Sequence, residues 1–259
     1  MDAYLQGMIR CISREDAFAL SPTFADYLTA VQDSLYNPGN DPYEPGEMYV
    51  DDSEEPQYVS QEEVDKWNAE ALAKYNAERD AYHGERRDVL EELIFEGPQV
   101  PLNQYLEILS NGLEKLLLKT GAPTLLFMIA YPTPWLSQKN KFPPVAKALE
   151  FLKSIGVTED FKGAIRVPKE QVHFFLPHLF WITRGNASLP YCYFSAEQSD
   201  FAANLCKFGN FHFYAYSESV RLNILIACEE LTQKSDFHCY SNFVEADDAN
   251  GMEGRELSI

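Results

Sequence analysis

No stretch of this chain is apolar for long enough to cross a bilayer. The longest, Val172–Ile182, is about 11 residues with two His and a Pro inside, against the ~20 a spanning helix needs. A secretory leader is not expected either, because MDAYLQGMIRCISRED has an acid at position 2 and no apolar core. Paired cysteines are missing too. Cys11, Cys192, Cys206, Cys228 and Cys239 are odd in number and share no C-x-x-C spacing, so they read as reduced, mostly buried thiols. These absences predict a cytosolic protein with no membrane partner.

The common signatures of chemistry are also absent. There is no G-x-x-x-x-G-K-[ST] phosphate cradle and no G-x-G-x-x-G after a strand. There is no G-x-S-x-G elbow and no H-E-x-x-H. The expectation is therefore no cofactor and no metal. Catalysis as such stays open, because sites are often assembled from distant residues.

Basic residues are scarce in one half. Residues 1–100 hold 23 Asp/Glu against 7 Lys/Arg, a net of −16 within the −19 of the chain. Asp41 to Asp65 holds ten acids and no base. Such a surface repels nucleic acid and anionic membrane and attracts basic partners. Residues 101–244 hold 12 acids and 13 bases, so the body is near neutral. With 46% hydrophobic residues, 15 Tyr and 17 Phe, the acidity decorates a folded protein rather than a disordered one.

Three segments follow from this. Residues 1–100 form an acidic helical N-terminal region with a Pro-rich acidic loop at 37–59, residues 101–244 form the body, and residues 245–259 form an acidic tail. Ser21-Pro22 predicts a helix start, with an apolar stripe through Phe24, Tyr27, Leu28, Val31 and Leu35. Pro38, Pro42, Pro45 and Pro56 make 37–59 a loop. Ser60-Gln-Glu-Glu63 is a capping box opening a long polar helix that extends toward Glu96. Pro101–Thr120 carries a wide leucine stripe and ends at Gly121. Thr124–Tyr131 reads as a strand buried on both faces, and Pro144–Ser154 as a short helix. From Pro190 the pattern reads strand 190–195, helix 196–207, strand 210–216, helix 217–233 and strand 236–244. The fold class is thus α/β or α+β, a mostly helical acidic region packed on a C-terminal sheet of β-α-β-α-β pattern.

Two functional readings compete. In the first, Asp51, Asp52, Glu54 and Glu55, with Tyr49 and Tyr58 interleaved, form a docking surface for a basic protein. The protein is then a regulator, inhibitor or immunity-type protein, and mimicry of nucleic-acid phosphates is its sharper form. In the second, the body is a hydrolase or transferase for a phosphorylated or nucleotide-like small substrate. His212 and Tyr214, and His238 and Tyr240, stand two apart on predicted strands, so each pair shares a face. Imidazole suits general acid–base work near neutral pH. Arg184, in a loop before Gly185-Asn186, and Arg221, in the first turn of a helix after a strand, are candidate anion clamps. Ordinary alternatives are a solvated loop, a packed sheet face and surface ion pairs.

Overall fold

Side chains that alternate in and out along short segments build a sheet, and here the segments come from both ends of the chain. The computed structural model describes residues 9–48, 57–96, 100–137, 140–184, 191–206, 210–232 and 238–241, and of 47, 48, 96, 184, 228, 230–232 and 238–241 the backbone alone. In chain order the strands are β1 (Arg10–Ile12), β2 (Gly46–Met48), β3 (Gln57–Val59), β4 (Glu91–Glu96) and β5 (Thr124–Ile129), followed by β6 (Ala164–Pro168), β7 (Cys192–Ala196), β8 (Phe201–Leu205), β9 (Phe211–Ala215) and β10 (His238–Ser241). Eight of them pair in the order β1-β6-β5-β7-β8-β9-β4-β10, and β2 pairs with β3 separately. Every ladder among the described residues is antiparallel.

The helices are α1 (Arg14–Leu20), α2 (Pro22–Leu35), α3 (Gln61–Glu78), α4 (Leu102–Thr120), α5 (Pro143–Ser154), α6 (Val172–Arg184) and α7 (Glu218–Thr232). Packing divides the chain into two compact units, 28–82 on its own and 1–27 together with 83–259.

In the larger unit, one row of cross-strand partners runs Ile165, Phe127, Phe194, Ala203, Phe213, Leu93. These residues join the stripes of α4 to α7 in one apolar core. Its aromatic rings meet at tilted or edge-on angles, as Phe194 does with Phe127 at 5.3 Å and with Phe211 at 5.6 Å; the ring quadrupole favours such angles. The opposite face is more polar. There Ser21 and Ser195 share a hydroxyl bond of 3.1 Å, and Tyr27 stacks on Tyr214 at 4.5 Å, so α1 and the first turns of α2 lie on that side. Asp26, nearly fully buried, accepts the Arg87 amide at 3.0 Å and pairs with Arg86 at 3.4 Å, which ties 86–87 to the same turns.

In the 28–82 unit, polar ties do much of the work. Gln32 donates to Asp80 at 2.6 Å and accepts the Asp80 amide at 2.9 Å. Tyr75 and Arg79 both donate to Asp33, at 2.7 and 2.8 Å. Tyr43 meets Trp67 edge-on at 6.0 Å, and its backbone N–H and C=O exchange two bonds with the Asn68 side-chain amide. Ser60 and Glu63 form the expected capping box at the start of α3.

Much of the local reading holds. The structure is a mixed α/β fold, and α2, α4, α5, α7, β5, β7, β9 and β10 fall where the sequence placed helices and strands. Three expectations need correction. The helix opened by Ser60 ends at Glu78, and 91–96 is instead strand β4, inside the sheet between β9 and β10. Its Leu93 and Phe95 alternate into the core. Of the expected helix 196–207, the described residues 197–206 hold a turn and strand β8 instead. Burial of β8 on both faces removes the period that separates strand from helix. With β8 paired to β7 and β9 as neighbours, the β-α-β-α-β pattern is not the one observed. The Pro-rich stretch 37–59 also contains the short pair β2–β3. The packing boundaries fall at 27 and 82, and β4 belongs to the sheet. The tail 245–259 lies outside the described residues.

Candidate functional site

The sheet face that carries α1 gathers the titratable groups of the body. By register, Tyr193 pairs with Asn204, Asn204 with His212, and His212 with Ile94. One step along, Tyr214 pairs with Glu92. Alternation puts Tyr193, Asn204, His212, Tyr214 and Glu92 on one face. His212 Nδ1 lies 3.0 Å from a Glu92 carboxylate oxygen, and both side chains are about three-quarters buried. A carboxylate only accepts, so a proton sits on Nδ1 facing Glu92. The Tyr214 hydroxyl donates to Asn204 at 3.1 Å.

Burial works to lower the basicity of His212, but negative charge on the Cys206 sulfur and then the Glu92 carboxylate outweigh it and lift the group to about 9. The Tyr27 and Tyr214 hydroxyls are both pushed up, first by burial and then by neighbouring oxygens. Two further histidines of the body, His173 and His178, sit elsewhere. His178 stacks on Phe151 at 4.0 Å and is pushed down to about 4 by burial and Lys147. His173 faces Glu114 at 3.3 Å in a groove of about 580 Å³ between α4 and α6.

The sequence candidates fare unequally. His212 and Tyr214 lie together on the sheet face. Positions 238 and 240 pair with Glu96 and Ile94 in the neighbouring ladder, on the other side of β4 from His212, and their side chains lie outside the description. Arg221 does stand in the first turn of α7 after a strand. It donates to Glu91 through Nε and to Glu218 through Nη1 at 3.1 Å, so its charge is already met by two carboxylates. Arg184 is the last residue of α6, again with its side chain outside the description. Asp51, Asp52, Glu54, Glu55 and Tyr49 lie outside the described residues, in the connection between β2 and β3. Tyr58 on β3 is 76% exposed. Glu92 and Cys206 were missed. The sequence pattern places Glu92 in a helix and Cys206 at the end of one, and only the antiparallel register brings them to His212.

Among the described residues no group of His, Cys, Asp and Glu is arranged to hold a metal ion, and no helix is long and apolar enough to cross a membrane. No family model matches the chain, and neither the curated proteins nor the solved structures contain a match to it.

Proposed function

We propose that this is a cytosolic binding or regulatory protein, of inhibitor or immunity type, that engages a basic protein partner through an acidic, Tyr-bearing surface. The observation that carries this reading is the charge of the 28–82 unit, which has 14 Asp/Glu against 3 Lys/Arg, a net of −11. Large apolar side chains stand exposed among these acids: Tyr58, Tyr43, Leu35 and Leu72. Acids steer a basic partner and set the register of docking, and aromatic rings supply contact area once docked. In the sharper form, the acids stand in for nucleic-acid phosphates and the partner is a nucleic-acid-binding protein. The chain itself does not bind nucleic acid directly.

The test is the salt dependence of the complex with its partner. Binding weakens with salt as exposed charges are screened. Replacing Asp51, Asp52, Glu54 and Glu55 together by Asn and Gln lowers affinity and flattens the salt dependence without unfolding the chain. Unchanged affinity in that variant removes the acidic-surface reading.

One observation favours a second reading, an enzyme on the α/β body: the pairing of His212 with Glu92, an imidazole with its tautomer fixed. For a phosphorylated or nucleotide-like substrate, the test is turnover of p-nitrophenyl phosphate. Turnover lost in His212→Gln supports it, and no turnover by the unaltered protein removes it.

A further inference from the structure

Cys206 follows directly on β8. Its amide donates to the Asn210 carbonyl at 2.9 Å, which carries the ladder one step beyond the Leu205–Phe211 pair. Residues two apart on a strand share a face, so Cys206 joins Asn204 on the face that holds His212. His212 therefore has two diagonal neighbours, Cys206 on the β8 side and Glu92 on the β4 side, a spacing that long side chains span. Glu92 holds Nδ1 at 3.0 Å, and Cys206, across the diagonal, acts to raise the basicity of the same imidazole.

The three groups are also within reach of a reactant. Cys206 is half-buried, and the His212 and Glu92 side chains are 24% and 21% exposed. Cys192 on the neighbouring strand shows the contrast. It is fully buried, burial pushes its thiol up, and it has no imidazole partner described. A thiol nucleophile with a base in contact, and a third group orienting that base, is the arrangement by which cysteine attacks carbonyl carbon.

We infer that Cys206, His212 and Glu92 form a nucleophilic thiol site for acyl transfer, acting on an ester, thioester or amide. This extends the enzyme reading of the α/β body, with a carbonyl in place of a phosphoryl centre, and does not depend on the acidic unit. Before the first half-reaction the Cys206 proton has passed to His212, leaving a thiolate beside an imidazolium. The sulfur electron pair forms the S–C bond and the carbonyl pair moves to oxygen. On collapse the bond from carbon to the leaving group breaks, and the leaving group departs with the proton from His212. In the second half-reaction water attacks the thioester while His212 takes its proton. The C–S bond breaks, and the sulfur recovers the proton. The sum is acyl compound plus water giving acid plus the protonated leaving group, with the thiol restored. Cys206 and His212 are the catalytic residues. Glu92 is a positioning residue that keeps the proton on Nδ1. The raised basicity of His212 is in keeping with an imidazolium that favours thiolate beside it.

The test uses the full chain and two probes, with each cysteine followed by peptide mass spectrometry. Iodoacetamide is expected to alkylate Cys206 with a pH midpoint at least one unit below the ~8.5 of a free thiol. At neutral pH the rate falls roughly tenfold in His212→Gln and by less in Glu92→Gln, whose midpoint also moves upward. p-Nitrophenyl acetate is expected to leave an acetyl group on Cys206 that water then removes, with turnover lost in Cys206→Ala. Thermal unfolding of Cys206→Ala and Glu92→Gln separates loss of chemistry from loss of fold. An ordinary midpoint that is the same in the unaltered protein and in Glu92→Gln overturns the site. So does a Cys206 that takes up no acetyl group while the protein remains folded.

Discussion

The two packing units distribute charge and burial in opposite ways. Residues 1–27 and 83–259 carry 26 acids and 18 bases, a net of −8 over 204 residues. Residues 28–82 carry −11 over 55. The larger unit buries Trp135, Tyr105 and a layer of Phe rings to within a few per cent of complete exclusion from water. The smaller one buries Leu28, Val59, Val64 and Tyr75 as its only hydrophobics among the described residues, and is tied by carboxylates and amides. The body is thus built for packing and the acidic unit for surface. Substitutions should behave differently in the two.

The largest effect is expected in the body core. Phe194→Ala removes a ring that touches Phe127, Phe211 and Phe213, and should cost about 3–5 kcal/mol in denaturant unfolding. Leu72→Ala, on the exposed side of α3, should stay within about 0.5 kcal/mol. Equal losses at the two positions would break the contrast. Asp26→Ala removes the buried carboxylate that pairs with Arg86 and accepts the Arg87 amide. Because the arginines are partly solvated, the expected loss is about 1–3 kcal/mol.

A smaller effect depends on pH. His212 has a folded value of about 9, raised above its ordinary 6.5. The stability this contributes is fully present below pH 6.5 and is lost as the pH rises through about 9. In Glu92→Gln that decline should flatten, read as unfolding midpoints against pH. A profile unchanged by Glu92→Gln would mean that Glu92 does not hold the imidazolium. The smallest effect is at the capping box. Ser60→Ala should cost about 1 kcal/mol, localised to α3 in hydrogen exchange.

Elements with a strong local signal were legible in the sequence. The capping box at Ser60, the leucine stripe of α4 with Gly121 in the left-handed region, and the apolar run of β5 each carry their own start, period or stop. What failed depended on distant partners. β4 pairs with β9 and β10, more than 110 residues away, and nothing within Glu91–Glu96 names them. β8 is buried on both faces and so has no period. In α6 an unbroken apolar run with Pro177 inside hid a helix. Half of the sheet-face site was legible, because His212 and Tyr214 stand two apart on one strand. Glu92 and Cys206 reach His212 only through the register of three antiparallel strands, which sequence spacing does not contain.

The central claim, that the acidic unit engages a basic partner, is tested most directly by affinity capture from native-host lysate at low and moderate salt. The full chain is compared with a folded version lacking residues 41–59. The account predicts a basic protein that the full chain retains at low salt, releases at moderate salt, and fails to capture once 41–59 is removed. Equal capture of the same protein by both forms, indifferent to salt, would contradict it.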